Sequence, residues 1–97
     1  MPAVVNGLPF YTTQEIYEMG EGMDFGQALA LLKDGKYVER SGWNGKGQYL
    51  GMQRPDSNSA NTLPYIFIIT VQKQRVPWLA SQTDMLAEDW QEYVAGE

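Results

Sequence analysis

The chain is 97 residues long, with 43% hydrophobic and 12% aromatic residues, a size that encloses one hydrophobic core and excludes a second independent domain. It contains neither cysteine nor histidine, which removes disulfide frameworks, Ser-His and Cys-His nucleophile pairs, and every zinc site built on those ligands. A formal charge of −5 disfavours binding to a nucleic-acid backbone, and no apolar run approaches the roughly 20 residues that span a bilayer.

The charge is unevenly spread. Residues 1–34 carry five acids against Lys33, and residues 76–97 carry five acids and no base. Residues 35–75 hold Lys36, Arg40, Lys46, Arg54, Lys73 and Arg75 against only Glu39 and Asp56. A basic middle can hold a small anion in a protein that repels a long polyanion, although charge that simply alternates between elements gives the same pattern. The start "MPAVVNGLPF" lacks the basic and continuous apolar stretches of a secretion signal, so a cytoplasmic setting is expected. Chemistry by carboxylates, lysine, tyrosine or an oxygen-ligated metal would need clustered charges, which are scarce. The expectation is a protein that is not an enzyme and uses no metal or cofactor.

Taken in chain order, residues 1–23 mix turn signals with Ile16, Tyr17 and Met19, and read as an N-terminal arm with one helical turn capped by Thr13. A single domain follows over 24–97. "MDFGQALALLKDGKYV" predicts the main helix: Asp24 caps it with Gln27 three residues on, Phe25, Ala28, Leu29 and Leu32 share a face, and Gly35 stops it. "YVERS" alternates as a strand with Val38 on one side and Tyr37 and Glu39 on the other. Asn44-Gly45 predicts a two-residue hairpin, with "QYLGMQ" as the returning strand.

"RPDSNSANT", residues 54–62, is a polar loop of a length suited to a flap. "LPYIFIITV" is apolar on both alternating sets, so it predicts a strand covered twice, by the main helix and by a partner subunit. "QKQ" reads as a turn, and "RVPWL" as an edge strand because Pro77 cannot donate to a ladder. "DWQEYV" forms a last strand or a helix end. The expected class is α+β: a small antiparallel sheet packed by one main helix, with a short helix near the C-terminus and the N-terminal arm.

Two stretches concentrate chemistry. "GWNGKG" sets Trp43, Asn44, Gly45 and Lys46 side by side: an aromatic ring for a base, an amide for its edge, glycine for close approach to phosphate, and a charge. A plain hairpin with a packed tryptophan fits the same residues. "VPWLASQTDMLAEDW" offers Trp78, Ser81, Gln82, Thr83, Asp84 and Met85. Ser81 with Asp84 fits the S-x-x-D capping box of a helix start, and that rim also suits the hydroxyls of a ribose or a base amino group. Asp84, Glu88 and Asp89 admit a third reading, as carboxylates for hydrolysis or magnesium, which lacks further ligands.

Together, "FGQALALLKDGKYVERSGWNGKGQYL", "LPYI" and "VPWLASQTDMLAEDW" resemble the phage Thoeris anti-defence two family, over about Asp24 to Trp90. The resemblance implies a sponge that sequesters a cyclic ADP-ribose signal, the glycocyclic isomer of Thoeris, and in some members cyclic dinucleotides of CBASS at separate sites. It implies action in the cytoplasm of the infected bacterial host, and a homotetramer with pockets between subunits and no nucleic-acid or membrane partner. The family's pocket motifs fall on Trp43 and Asn44 and on Ser81 to Met85. The arm before Asp24 is longer than in compact members, and the 54–62 loop is of a kind that varies between relatives. Beside the sponge stand two alternatives: a protein-interaction module that inhibits a host effector, and a carboxylate-based nucleotide hydrolase.

Overall fold

The computed structural model describes residues 3–5, 8–10, 22–57 and 59–95. Two short strands of the arm, β1 (Ala3–Val5) and β2 (Leu8–Phe10), pair antiparallel with Val5 opposite Leu8. The helical turn expected at Thr13 lies outside the described residues.

Helix α1 (Phe25–Lys33) starts and stops as its end residues dictate. Asp24 accepts from the Gln27 amide at 2.8 Å, and the Gln27 side chain accepts from the Asp24 amide at 2.8 Å, closing a capping box. At the other end Gly35 adopts φ +86°, and the amides of Gly35 and Lys36 return to the carbonyls of Leu32 and Leu31, a Schellman termination. Arg54, from the polar loop, donates to the Lys33 carbonyl. The helix buries Ala28, Leu31 and Leu32. Leu31 belongs to this face although the predicted set omitted it, while Phe25 and Leu29 pack at its margin.

Strands β3 (Tyr37–Arg40), β4 (Tyr49–Gln53), β5 (Tyr65–Ile69), β6 (Arg75–Pro77) and β7 (Trp90–Tyr93) form an antiparallel sheet in the order β6-β5-β4-β3-β7. The first four follow one another as a meander. The chain then passes through the short helix α2 (Gln82–Leu86) and returns to the opposite edge, beside β3. The class is therefore α+β, with one main helix on one sheet face. Pro77 sits on the edge strand, where the neighbouring Trp78 amide bonds Ile66 and the missing proline N–H points outward.

Register sorts the side chains. Val38 faces Leu50, and Leu50 faces Ile68; this set meets α1 and Trp90 in the core with Met23. The other face carries Tyr49 between Tyr93, stacked at 4.2 Å, and Tyr37, edge-on at 5.2 Å. Phe67 on that face is buried, with the Arg75 guanidinium 4.0 Å above its ring centroid and Gly51 beneath its edge. Part of the second cover of β5 thus comes from within the chain.

The two-residue hairpin at Asn44-Gly45 is not what the chain forms. β3 ends at Arg40 and β4 begins at Tyr49, and the positive φ of the connection falls on Gly47. The reason lies across the sheet edge: the Ser41 amide bonds the Asp89 carbonyl at 3.0 Å, and the Gly42 amide bonds the Asp89 carboxylate at 2.9 Å. The chain leaving β3 is drawn toward β7 before it can turn onto β4.

Candidate ligand-binding site

The "GWNGKG" turn and the α2 start meet at one carboxylate. Trp43 folds back onto the core, its ring edge-to-face with that of Trp90 at 5.5 Å and 78°, and its indole N–H donates to Asp84 Oδ1 at 3.1 Å. Ser81 caps α2, its hydroxyl accepting from the Asp84 amide at 3.0 Å. The reciprocal arm of a capping box is absent because the Asp84 carboxylate turns the other way, to Arg40 Nη1 at 2.7 Å. Asp84 is gripped a fourth time at its carbonyl, which accepts from the Trp90 indole at 3.0 Å.

The same guanidinium holds Asp89. Arg40 Nε meets Asp89 Oδ1 at 2.7 Å, and Nη2 lies 3.4 Å from Oδ2. The protonation states follow. Burial pushes the Asp84 carboxyl upward, but the hydrogen bonds from Arg40, Trp43 and Ser81 together outweigh it, and the group sits below the usual carboxylate range. Asp89 is held down first by the Arg40 hydrogen bond, against some burial, with help from the Gly42 amide. Asp89 and then Asp84 raise Arg40 in turn. Carboxylates kept ionised by a cation are weak proton acceptors and cannot serve as acids near neutrality. Glu88, the other member of the suggested hydrolytic pair, is exposed. Among the described residues no three carboxylate-bearing side chains converge where a metal ion could sit.

Beside this junction a cleft of about 290 Å³ opens between the 41–47 turn and the β3–β7 edge, lined by Glu39, Arg40, Trp43, Lys46, Gln91 and Tyr93 among others. Gln91 donates to Glu39 across it at 3.2 Å. Of the residues expected from sequence, Trp43, Gly45 and Lys46 line the cleft, and Asn44 is exposed beside it. Trp78 is half-buried against Phe25 at 5.9 Å and Trp90 at 6.2 Å. Ser81, Gln82, Thr83 and Met85 are exposed along α2, and Asp84 alone of that stretch reaches the turn. Val76, Leu79, Met85 and Leu86 leave an exposed apolar surface around β6 and α2.

The sequence names Arg40 only within a basic stretch and Asp89 only as a candidate carboxylate for hydrolysis or magnesium, and their pairing was missed, yet a signal existed. Val38 points into the core, so by the two-residue period of a strand Arg40 points there too, and a charge on a covered face requires a partner.

The described domain is a sheet covered by one helix, in which a guanidinium joins a Trp-Asn-Gly turn to a Ser-capped helix start. The family model of the Thoeris anti-defense 2-like domain matches residues 23–93, and the chain belongs to this family. It is similar to Thoeris anti-defense 2 of Bacillus phage SP01, at 41% identity over 81 residues that cover 70% of this chain and 91% of the relative. An anti-defence role is what that membership carries.

Proposed function

We propose that the protein is a sponge: it binds a cyclic nucleotide immune signal in the cytoplasm of the infected host and withholds it from the defence effector, without cleaving it. The signal would be the glycocyclic ADP-ribose of Thoeris, with cyclic dinucleotides of CBASS as further ligands. The observation that carries this reading is the Trp43–Asp84 hydrogen bond, because it brings together two motifs 41 residues apart in sequence. Around it the half-buried Trp43 and the exposed polar groups would divide the work by chemistry. Trp43 and Asn44 suit a base, Lys46 a phosphate, and Gln82 and Thr83 the hydroxyls of a ribose.

Pockets between subunits would serve the same reading. The exposed apolar residues of β6 and α2 flank Gln82 and Thr83, so a homotetramer contact there would wall the ligand rim with a second chain. Capture is stoichiometric, and it works when the dissociation constant lies below the concentration at which the effector responds. Calorimetry of the purified protein against cyclic ADP-ribose isomers and cyclic dinucleotides tests this, with heat-released ligand analysed for integrity. Saturable binding and recovery of intact ligand are expected. No binding across the panel, or turnover by trace protein, refutes the sponge.

A further inference from the structure

Both motifs of the proposed site are joined through one side chain whose pairing sequence patterning passed over. Arg40 leaves β3 on the core face, and its side chain is only 16% exposed. It contacts Asp84, which carries Trp43, and Asp89, whose other oxygen carries the Gly42 amide. The 41–48 turn and the α2 start are therefore both suspended from one guanidinium. The planar fork matters: three of its nitrogens are used on two carboxylates at once, whereas an ammonium is a compact point charge that lacks this fixed geometry.

Resting on the sponge reading above, we propose that Arg40 is the positioning residue of the ligand site, acting through Asp84 and Asp89 to hold the Trp43 turn and the α2 rim in the one relation a cyclic nucleotide meets. Without it the Asp84 carboxylate is free to rotate toward the Ser81 amide, as an ordinary capping box would have it, and Trp43 loses its anchor. A ligand must then order both pieces on binding, which weakens capture even though every contacting residue remains.

The test uses the full chain and its Arg40→Lys variant. Folding is checked by thermal scan and assembly by light scattering. Two readouts are then compared: the indole N–H resonances in a proton–nitrogen NMR spectrum, assigned with Trp43→Phe, and calorimetry against the cyclic ADP-ribose isomers. In the variant the Trp43 indole resonance moves, while that of Trp90, bonded to the Asp84 backbone, stays near its place. Affinity falls at least about tenfold, the scale of one lost charge-assisted contact. Parental affinity in a folded Arg40→Lys chain, or an unmoved Trp43 resonance, overturns the proposal. If Arg40→Lys does not fold, Asp89→Asn, which keeps the Arg40–Asp84 contact, decides by the Gly42 amide resonance, whose acceptor is Asp89, and by affinity: a moved amide with weakened capture supports the proposal, and parental affinity overturns it. A parent protein that binds no cyclic nucleotide sinks the sponge reading itself, and the indole resonance alone then decides whether Arg40 sets the geometry.

Discussion

Replacing Trp90 by phenylalanine strikes both the core and the site. Trp90 is fully buried and touches Phe25, Trp43 and Trp78 with ring centroids 5.5, 5.5 and 6.2 Å away. Its indole N–H satisfies the Asp84 carbonyl at 3.0 Å. Phenylalanine removes two ring carbons, worth about 1.6 kcal/mol at about 0.8 kcal/mol for each buried carbon. It also deletes the donor to a part-buried carbonyl, a further loss of about 1 kcal/mol. Together they amount to about 2.5 kcal/mol, which lowers the melting temperature of a domain this size by roughly 10–20 °C. Thermal and urea unfolding at one fixed protein concentration measure it, since self-association would make the midpoint concentration-dependent. A fall of less than about 3 °C would refute the view that Trp90 is the common support of the aromatic cluster and α2.

Acid unfolding tests the Arg40 network. Asp84 and Asp89 are both held below the ordinary carboxylate range, so their contribution is complete at neutral pH and is lost as the pH falls toward their folded values. Urea midpoints should therefore drop between about pH 5 and pH 3 in the parent, and drop less steeply in Arg40→Gln, which starts lower at pH 7; parallel curves would count against the network. Gly35→Ala should cost about 1–2 kcal/mol through backbone strain alone, because φ is +86° and nothing lies within 4 Å of the added methyl. Gly51→Ala should cost about 1–3 kcal/mol for the opposite reason: its methyl would stand 2.5 Å from Phe67 Cζ and 2.9 Å from Tyr37. Adding Phe67→Leu should relieve part of the Gly51→Ala loss in urea titrations and none of the Gly35→Ala loss.

Local chemistry was legible in the sequence where neighbours along the chain decide the structure. Asp24 with Gln27, Gly35 after the helix, Ser81 before α2 and Pro77 on an edge each act within four residues, and each stands where the pattern put it. The Asn44-Gly45 turn was misread because a distant residue, Asp89, competes for the amides that follow β3. The caps were half right at Ser81 for the same reason, since Arg40 takes the carboxylate that would have closed the box. As for the candidate site, its motifs were visible as residue types, but the bond that joins them spans 41 residues of sequence and belongs to the tertiary fold. Its ligand contacts rest on the proposal above.

The pairing of β3 with β7 also sets the order of events during folding. β3 to β6 form a meander whose neighbours are close in sequence, so they can pair early at small entropic cost. The Arg40–Asp89 contact closes a span of 49 residues, and β7 is the last strand of the sheet in chain order. A growing chain therefore displays the Trp43 turn well before the strand that orients it. The proposed site would be complete only once Trp90 has entered the core and Asp89 has reached the amides beyond β3, so binding at it would report completion of the whole sheet. A ligand that prefers the closed arrangement would in turn stabilise that final pairing, and slow unfolding from the β7 edge should reveal it first.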